Sequence, residues 1–310
     1  MKRYVAPIEE TPLAAVDEVD VSTKPTSIWG DAWRDMRKRW LTWVCLALVG
    51  LVVFAALFPQ LLTSGDPSGA ACDLGKSLNK AEPGHPFGFD RQGCDVYTRV
   101  IYGTRASLAV GLLSTGLATL LGGIIGAAAG YFGGWLDSVV SRIGDIFFAI
   151  PSVLGAIVMM QVAPFGRGIW TLSLTLAVFG WPQVARIMRG AVLTVKQSDF
   201  VTAGIALGVS RTKNLIRHVI PNSLAPVIVI ATVSLGTYIV AEATLSFLGV
   251  GLPPSVISWG YDISTAQNVI RTAPGLLFYP AAALALTVLA FLLLGDIVRD
   301  ALDPKARTRR

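Results

Sequence analysis

The side chains that could do chemistry are few in this sequence and lie far apart. His85 and His218 are the only histidines, and the three cysteines form no Cys-x-x-Cys pair. Zinc sites and nucleophile–base catalysis need such groups in clusters. A G-x-x-x-x-G-K-[ST] phosphate-binding loop is also missing. We therefore predict that this chain is not an enzyme, needs no metal or cofactor of its own, and does not itself hydrolyse ATP.

Two of the three cysteines, Cys72 and Cys94, share one polar segment, 64–105, whereas Cys45 lies inside an apolar run. Thiols pair on the oxidising side of a membrane, and the distribution of basic residues described below places this segment there. A disulfide would stabilise the segment by about 3 kcal/mol through loop closure. The sequence predicts this bond, with Cys45 reduced. Two free thiols are the alternative.

One polar stretch between two apolar runs, Lys196–Asn222, has the sequence KQSDFVTAGIALGVSRTKNLIRHVIPN. Ser198 and Asp199 can cap a first helix that runs to Leu207, and Gly208 suits the left-handed position that ends it. Connections of this length are seldom structureless in a compact protein. We therefore expect this stretch to have both a structure and a task.

The second helix of this stretch is predicted to begin after Ser210 and to end at Pro221. It is basic through Arg211, Lys213, Arg217 and His218. The first helix has a small apolar face formed by Ala203, Ala206 and Leu207. A short helix with such a face, outside the bilayer, can dock in a groove of a partner protein. An amphipathic loop lying on the lipid surface is the alternative.

The elements that position this stretch are membrane spans. Hydrophobic residues make up 53% of the chain and charged residues 15%, and mean hydropathy is +0.59. The charged share is well below the ~25% of soluble domains. Runs of about 20 apolar residues can cross a bilayer. We predict an all-α membrane protein with six transmembrane helices, at Leu41–Leu62, Ala106–Tyr131, Ile143–Val162, Ile169–Ile187, Leu224–Leu248 and Gly275–Val298.

The net charge of +6 reflects membrane topology. With six spans, only seven of the 26 lysine and arginine residues fall in outer segments. Basic residues accumulate on the cytoplasmic side, so both termini and the Lys196–Asn222 stretch are predicted to be cytoplasmic, with no nucleic acid as partner. The seven outer residues are Lys76, Lys80, Arg91, Arg99, Arg105, Arg167 and Arg271.

The domain organisation follows from the same patterns. The first 27 residues are polar and acid-rich, and tryptophans then recur at helical spacing among basic residues, which is typical of a helix at the lipid interface. We predict a disordered cytoplasmic tail at 1–27, an interfacial amphipathic helix at 28–40, a first transmembrane helix at 41–63, an extracytoplasmic segment at 64–105, a five-helix core at 106–298 with a loop at 196–222, and a cytoplasmic tail at 299–310.

Small residues repeat every four positions in the second predicted span, at Ser114, Ala118, Gly122, Gly126 and Gly130. Such a face lets a second helix approach closely. We therefore predict tight packing of the three glycines against a neighbouring span. Prolines in the third and fourth spans, Pro151 and Pro182, can kink their helices.

Charges at membrane depth are sparse. Asp145, Asp296 and Arg299 fall near the predicted inner ends of spans, and Glu242 falls near an outer end. Ionisable groups in a bilayer are expensive and usually mark ion or proton pathways. Because none is predicted at mid-depth with a partner, a secondary transporter or channel is the less favoured class.

Four stretches resemble the permease subunits of dipeptide, oligopeptide and nickel ABC importers. The segments at 85–111 and 133–157 resemble the blocks before the second span and through the third. The Lys196–Asn222 stretch resembles the EAA motif, through which that family couples to its ATPase. The segment at 241–260, AEATLSFLGVGLPPSVISWG, resembles the fifth-span exit of the peptide and nickel branch. The four occur in family order across roughly residues 41–304.

The sequence also departs from the family pattern. Thr202 stands at the glutamate position of the EAA motif and Gly204 at its third position, while Ala203, Gly208 and Pro221 fit. Cys94 replaces the arginine that usually precedes the aspartate of the first block. The first departure removes a carboxylate contact to the ATPase. The second agrees with a local disulfide.

The resemblance implies a type I ABC importer permease of the bacterial plasma (inner) membrane, forming half of a translocation pathway for peptides. The implied partners are a homologous second permease, two ATP-binding subunits that carry ATP and Mg, an extracytoplasmic substrate-binding protein, and membrane lipid. The implied ATPase-coupling residues are Asp199, Thr202, Ala203, Gly204, Leu207 and Gly208. An importer of the same architecture for nickel, haem or another small ligand is the alternative.

Overall fold

The computed structural model describes residues 28–67, 72–164 and 166–302. These residues fold almost entirely into helices and form no β-strand. The predicted tail at 1–27 and residues 303–310 of the other predicted tail lie outside the described residues. The α-helices are α1 (Ile28–Met36), α2 (Trp40–Leu57), α3 (Pro59–Leu62), α4 (Val96–Phe132), α5 (Gly134–Ala149), α6 (Ser152–Val162), α7 (Ile169–Val195), α8 (Asp199–Ala206), α9 (Arg211–Asn214), α10 (Ile220–Phe247), α11 (Trp259–Ala266) and α12 (Gly275–Leu302).

Four helical segments among the described residues are long and apolar enough to cross a membrane. They are α2, α4, the continuous segment Arg211–Phe247 that contains α9 and α10, and α12. The consecutive helices α5 and α6 make a fifth candidate if they form one bent span. Helix α7 has 27 residues but is not among these candidates. Its second half carries Gln183, Arg186 and Arg189, which lower its hydropathy.

The third predicted span is not one straight helix. Helix α5 ends at Ala149, α6 begins at Ser152, and their axes differ in direction by 91°. Ile150 is extended, with φ −89° and ψ 121°. Pro151 explains the break, because it has no backbone N–H and disfavours helical geometry in the residue before it. The break falls at Pro151, the residue at which the sequence predicts a kink in the span Ile143–Val162.

The first helices also have bounds that differ from the prediction. The interfacial helix ends at Met36, and Trp40 already belongs to α2. The first span breaks at Phe58, whose φ of −125° and ψ of 52° are not helical. Pro59 then begins a separate short helix, α3, because proline fits the first turn but not the interior of a helix.

Helix α4 begins ten residues earlier than predicted, inside the segment at 64–105. Asp95 caps it by accepting hydrogen bonds from the backbone N of Tyr97 (3.3 Å) and Thr98 (3.2 Å). An aspartate at this position satisfies N–H groups that have no partner inside the helix. At the other end of the chain, α12 continues to Leu302, so residues 299–302 are helical and not part of a tail.

The glycine face of α4 packs against α7, the helix that contains the fourth predicted span. A Cβ added to Gly122 would lie 2.5 Å from the Trp181 carbonyl oxygen, and one added to Gly130 would lie 2.9 Å from the Arg189 carbonyl oxygen. A Cβ on Gly126 would overlap the backbone of Ala185. The two helices thus touch backbone to backbone along this face, the arrangement that a small residue at every fourth position permits.

Candidate functional site

The Lys196–Asn222 stretch forms helix α8 and a tight turn. Ser198 precedes the helix in an extended conformation, although its side chain makes no capping hydrogen bond. The helix ends at Ala206, one residue before the predicted end. Gly208 has φ +81°, the left-handed conformation expected for it. The Val209 N–H donates to the Gly204 carbonyl oxygen at 3.0 Å and closes the turn.

Helix α8 is fixed to the helices beneath it by one apolar and one polar contact. Val201 is fully buried and packs in a cluster that includes Val192, Leu215 and Val219. The buried amide of Asn214 donates a hydrogen bond to the Val201 carbonyl oxygen at 3.1 Å. These contacts hold the helix in one orientation, so that its opposite side faces outward.

The outward side of α8 and the turn after it are uncovered and largely apolar. Leu207 is 84% exposed, and Phe200 and Ile205 are about half exposed. Asp199, Thr202, Ala203 and Gly208 are exposed as well, whereas Gly204 is half-buried. Five of the six predicted coupling residues are therefore exposed, and Phe200 and Ile205 enlarge the exposed surface. The sixth, Gly204, faces the side chain of Asn214, 3.5 Å from the position of an added Cβ. Sequence reasoning missed Phe200 and Ile205, although two bulky apolar residues in a polar stretch are a visible signal.

The second helix of the stretch differs from the prediction. Helix α9 passes through a π-helical turn, Leu215–Val219, directly into α10. Pro221 does not end a helix but lies in the first turn of α10, where its missing N–H and fixed φ are tolerated. The four basic side chains of this region are exposed, as an amphipathic segment requires.

The structure joins Cys72 and Cys94 in a disulfide, with 2.04 Å between the Sγ atoms and 4.3 Å between the Cα atoms. Cys45 is free and buried. Asp90 shapes the chain next to the bond, because its carboxylate accepts from the backbone N of Gln92 (2.8 Å) and Cys94 (2.9 Å). The bond ties this segment to the start of α4.

Glu242 is the centre of a buried polar cluster at the far end of α10 from the α8 turn. Its carboxyl oxygens accept hydrogen bonds from Ser107 (3.0 Å), Ser246 (2.9 Å) and Ser258 (3.0 Å). Ser107 also accepts from the backbone N of Trp259 at 3.3 Å. The cluster therefore connects α4, α10 and α11. Sequence analysis assigned no partner to Glu242, because two of the three serines that bind it, Ser107 and Ser258, lie outside α10.

A buried ion pair lies beside this cluster. The Arg99 guanidinium donates to Asp262 Oδ1, through Nε at 2.9 Å and through a second nitrogen. Burial raises the pKa of Asp262 to about 6, against the opposing effect of Arg99. The pair fastens α11 to α4 and borders a cavity of about 320 Å³. Sequence reasoning missed this pair, which joins residues 163 positions apart.

Comparisons with known proteins agree with this architecture. The family model described as "Binding-protein-dependent transport system inner membrane component" matches residues 118–308, more than half of the chain. This chain belongs to that family. A second family model, "N-terminal TM domain of oligopeptide transport permease C", matches residues 27–80 of the permease. The resemblance proposed from four stretches of sequence is confirmed.

Three relatives cover the permease almost completely. It is 36% identical over 282 residues to the dipeptide transport system permease protein DppC of Alkalihalophilus pseudofirmus, covering 91% of each chain. It is 36% identical over 293 residues to the oligopeptide transport system permease protein OppC of Bacillus subtilis, covering 94% of the permease and 95% of that protein. It is 35% identical over 305 residues to the glutathione transport system permease protein GsiD of Escherichia coli, covering 98% of each.

One solved structure has the same fold. The MetNI methionine ABC transporter, in an inward-facing conformation, contains a chain that matches with a TM-score of 0.55 and 19% identity. The match covers 66% of the permease and 96% of that chain. The permease is therefore a multi-pass inner-membrane transport subunit of an ABC importer, and its family implies ATPase and substrate-binding partners.

Proposed function

We propose that this permease forms half of the translocation pathway of an ABC importer for dipeptides or oligopeptides. The observation that carries the proposal is the 35–36% identity, over at least 91% of the chain, to relatives named for dipeptide, oligopeptide and glutathione transport. Dipeptides, oligopeptides and glutathione all contain peptide bonds. Nickel, haem or another small ligand remains the competing cargo, since a separate binding protein sets selectivity in this class.

The proposed complex contains a homologous second permease, two ATP-binding subunits that hold ATP and Mg, and an extracytoplasmic binding protein. In this permease, six spans would cross the bacterial plasma membrane: α2, α4, the bent pair α5–α6, α7, α10 and α12. Helix α7 supports the count, because 27 residues extend about 40 Å at 1.5 Å per residue. Such a helix is long enough to cross despite its polar second half.

The proposed orientation places both termini and the α8 turn in the cytoplasm, on the strength of the uneven distribution of basic residues. We expect a membrane-impermeant thiol reagent added to intact cells to label Lys80→Cys and Thr265→Cys but not Ile205→Cys. All three side chains are exposed, so reactivity would report sidedness and not burial. Labelling of Ile205→Cys from outside would reverse the orientation.

Helix α8 and the Gly208 turn are the proposed contact with an ATPase subunit. Two observations favour this contact. The apolar side chains of Phe200, Ile205 and Leu207 are uncovered, and Val201 attaches the helix to the rest of the permease. Closure of the ATPases on ATP would push Asp199–Leu207 and rock the flanking spans α7 and α10. Such a contact shifts the transport equilibrium only if it differs between the two states of the permease.

Gly208→Leu is expected to reduce peptide uptake by about tenfold or more in liposomes containing the whole complex. Any residue with a Cβ is strained at φ +81°, by about 1 kcal/mol or more, and leucine adds bulk on the partner side. No atom lies within 4 Å of the added Cβ, so folding of the permease itself is expected to survive. Uptake of labelled dipeptides, ATPase rate and subunit content are the measurements.

Thr202→Ala is the matched control for Gly208→Leu, because Thr202 is also exposed and lacks the carboxylate of the family motif. We expect its uptake to stay within about twofold of the wild type, as for most surface substitutions. Normal uptake with Gly208→Leu would leave the α8 turn as a lipid-surface amphipath. Uptake of nickel or haem without uptake of any peptide by the wild-type complex would overturn the proposed cargo.

A further inference from the structure

A half-open cavity of about 250 Å³ lies between α6, α7 and α10, apart from the α8 surface and the Glu242 cluster. One part of its wall is apolar and includes Phe179 and Leu245. The other part carries hydroxyl and amide groups, and none of the residues that line it is charged. The polar lining residues are Ser152, Gln183, Ser234, Thr237 and Tyr238.

In the proposed six-span topology, the polar groups of this cavity lie deep in the membrane. Gln183 is fourteen residues after Ile169 and twelve residues before Val195, at the middle of α7. At 1.5 Å per residue it is therefore about 18–21 Å along the axis from either end. Its side chain is exposed, and Tyr238 on α10 faces the same space. Sequence reasoning considered only charged residues at this depth and so missed the glutamine.

Neither the Gln183 amide nor the Tyr238 hydroxyl donates or accepts a hydrogen bond within the part of the chain that the structure describes. An amide or hydroxyl moved into hydrocarbon without a hydrogen bond loses several kcal/mol, about 4–8 on a cyclohexane scale. Polar groups at such depth therefore face bundle interiors or water-filled cavities. The Gln183 amide therefore needs a polar neighbour, which water or a polar ligand in this cavity would supply.

Gly180 on α7 and Tyr238 on α10 lie next to each other in the lining of this cavity. A Cβ at Gly180 would overlap the Tyr238 hydroxyl oxygen, so glycine at this position gives the tyrosine room to reach across to α7. Gly155 on α6 leaves space for the Phe179 ring in the same way. The rings of Tyr238 and Phe179 occupy the space that these glycines leave, and together with Gln183 they line the open cavity.

We propose that this cavity is the permease's share of the mid-membrane substrate pathway and that Gln183 and Tyr238 hydrogen-bond the backbone amides of the passing peptide. The proposal rests on the proposed function. A glutamine amide donates and accepts, as a peptide group does, and a phenol does the same. An uncharged wall offers no counter-ion to any peptide side chain. It therefore suits passage of peptides of either charge without tight binding at this depth.

The first test uses cysteine accessibility in the whole complex, in a Cys45→Ala background. Gln183→Cys is expected to react with a hydrophilic methanethiosulfonate at least about tenfold faster than Leu289→Cys, because a thiol in lipid is rarely ionised. Leu289 is the matched control, since it is half exposed and lies at the middle of α12. A dipeptide that the complex imports is expected to slow the reaction at position 183.

The outcomes separate this assignment from the proposed function. Slow labelling at 183, or labelling that peptide does not affect, in a complex that imports peptide would overturn the cavity assignment and leave the function intact. A wild-type complex that imports no peptide would instead overturn the function, and with it the assignment of peptide to this wall.

A second pair of variants tests the hydrogen bond itself. Gln183→Leu is expected to reduce peptide uptake by about tenfold with normal subunit content, whereas Gln183→Asn should retain most of the uptake because its amide is kept. A purely structural role would affect complex stability in both variants and would not separate them. Equal uptake by Gln183→Leu and the wild type would remove Gln183 from the pathway.

Discussion

Gly126→Val is expected to prevent the permease from accumulating as a stable subunit. The added Cβ would meet the Cα and the carbonyl carbon of Ala185 within 2.9 Å, and these are backbone atoms of α7 that cannot rotate away. Helices α4 and α7 would have to separate. Overpacking of this kind typically destabilises by about 1–3 kcal/mol, and the rigid partner here favours the upper end. Membrane yield and the apparent melting temperature of the purified complex measure the effect.

Gly123→Val provides the control on the same helix. A Cβ at Gly123 has no atom within 4 Å, and the change in helix propensity from glycine to valine is the same at both positions. We expect the Gly123 variant to accumulate and melt like the wild type. Equal yields and melting temperatures for the two valine variants would show that α4 and α7 do not pack through this glycine face.

Glu242→Ala is the second substitution with a large expected effect. It would leave the hydroxyls of Ser107, Ser246 and Ser258 without their acceptor inside a buried cluster. Each buried polar group left unsatisfied costs about 1–3 kcal/mol, and the truncated side chain leaves a cavity as well. We expect α11 to lose its attachment to α10. Faster hydrogen exchange over Trp259–Ala266 and a lower melting temperature would report this.

Two further variants sharpen the Glu242 test. Val240→Ala, on an exposed part of the same helix, is expected to change the melting temperature little. Glu242→Gln keeps one oxygen for two of the serines but turns an NH₂ group toward the third, so an intermediate effect is expected. If the alanine and glutamine variants melted at the wild-type temperature, the cluster would contribute nothing to stability.

Local signals predicted local structure well. The four-residue repeat of small side chains anticipated the α4 face that meets α7, and Gly208 alone indicated the left-handed turn after α8. Pro151 predicted a kink in the third span, but the size of that kink, a 91° bend between α5 and α6, was not predicted. Hydropathy records how apolar a segment is and carries no information about the direction of its axis.

The polar cluster and the buried ion pair could not be predicted for a different reason. Glu242 meets Ser107 across 135 positions of chain, and Arg99 meets Asp262 across 163. No local pattern marks such pairs, because they arise only when α4, α10 and α11 have packed. Phe200 and Ile205 illustrate a third case. The folded chain shows that they are exposed, but their role depends on the proposed contact with a second protein.

The disulfide between Cys72 and Cys94 links the biogenesis of this permease to the redox state of a compartment. In the proposed orientation, the bond forms only after the segment has left the ribosome and crossed the bilayer, where an oxidant is present. The same bond borders Asp95, whose carboxylate starts α4. Production without an extracytoplasmic oxidase, or solubilisation with a strong thiol reductant, would therefore yield a subunit in which only non-covalent contacts hold this segment to the start of its longest helix.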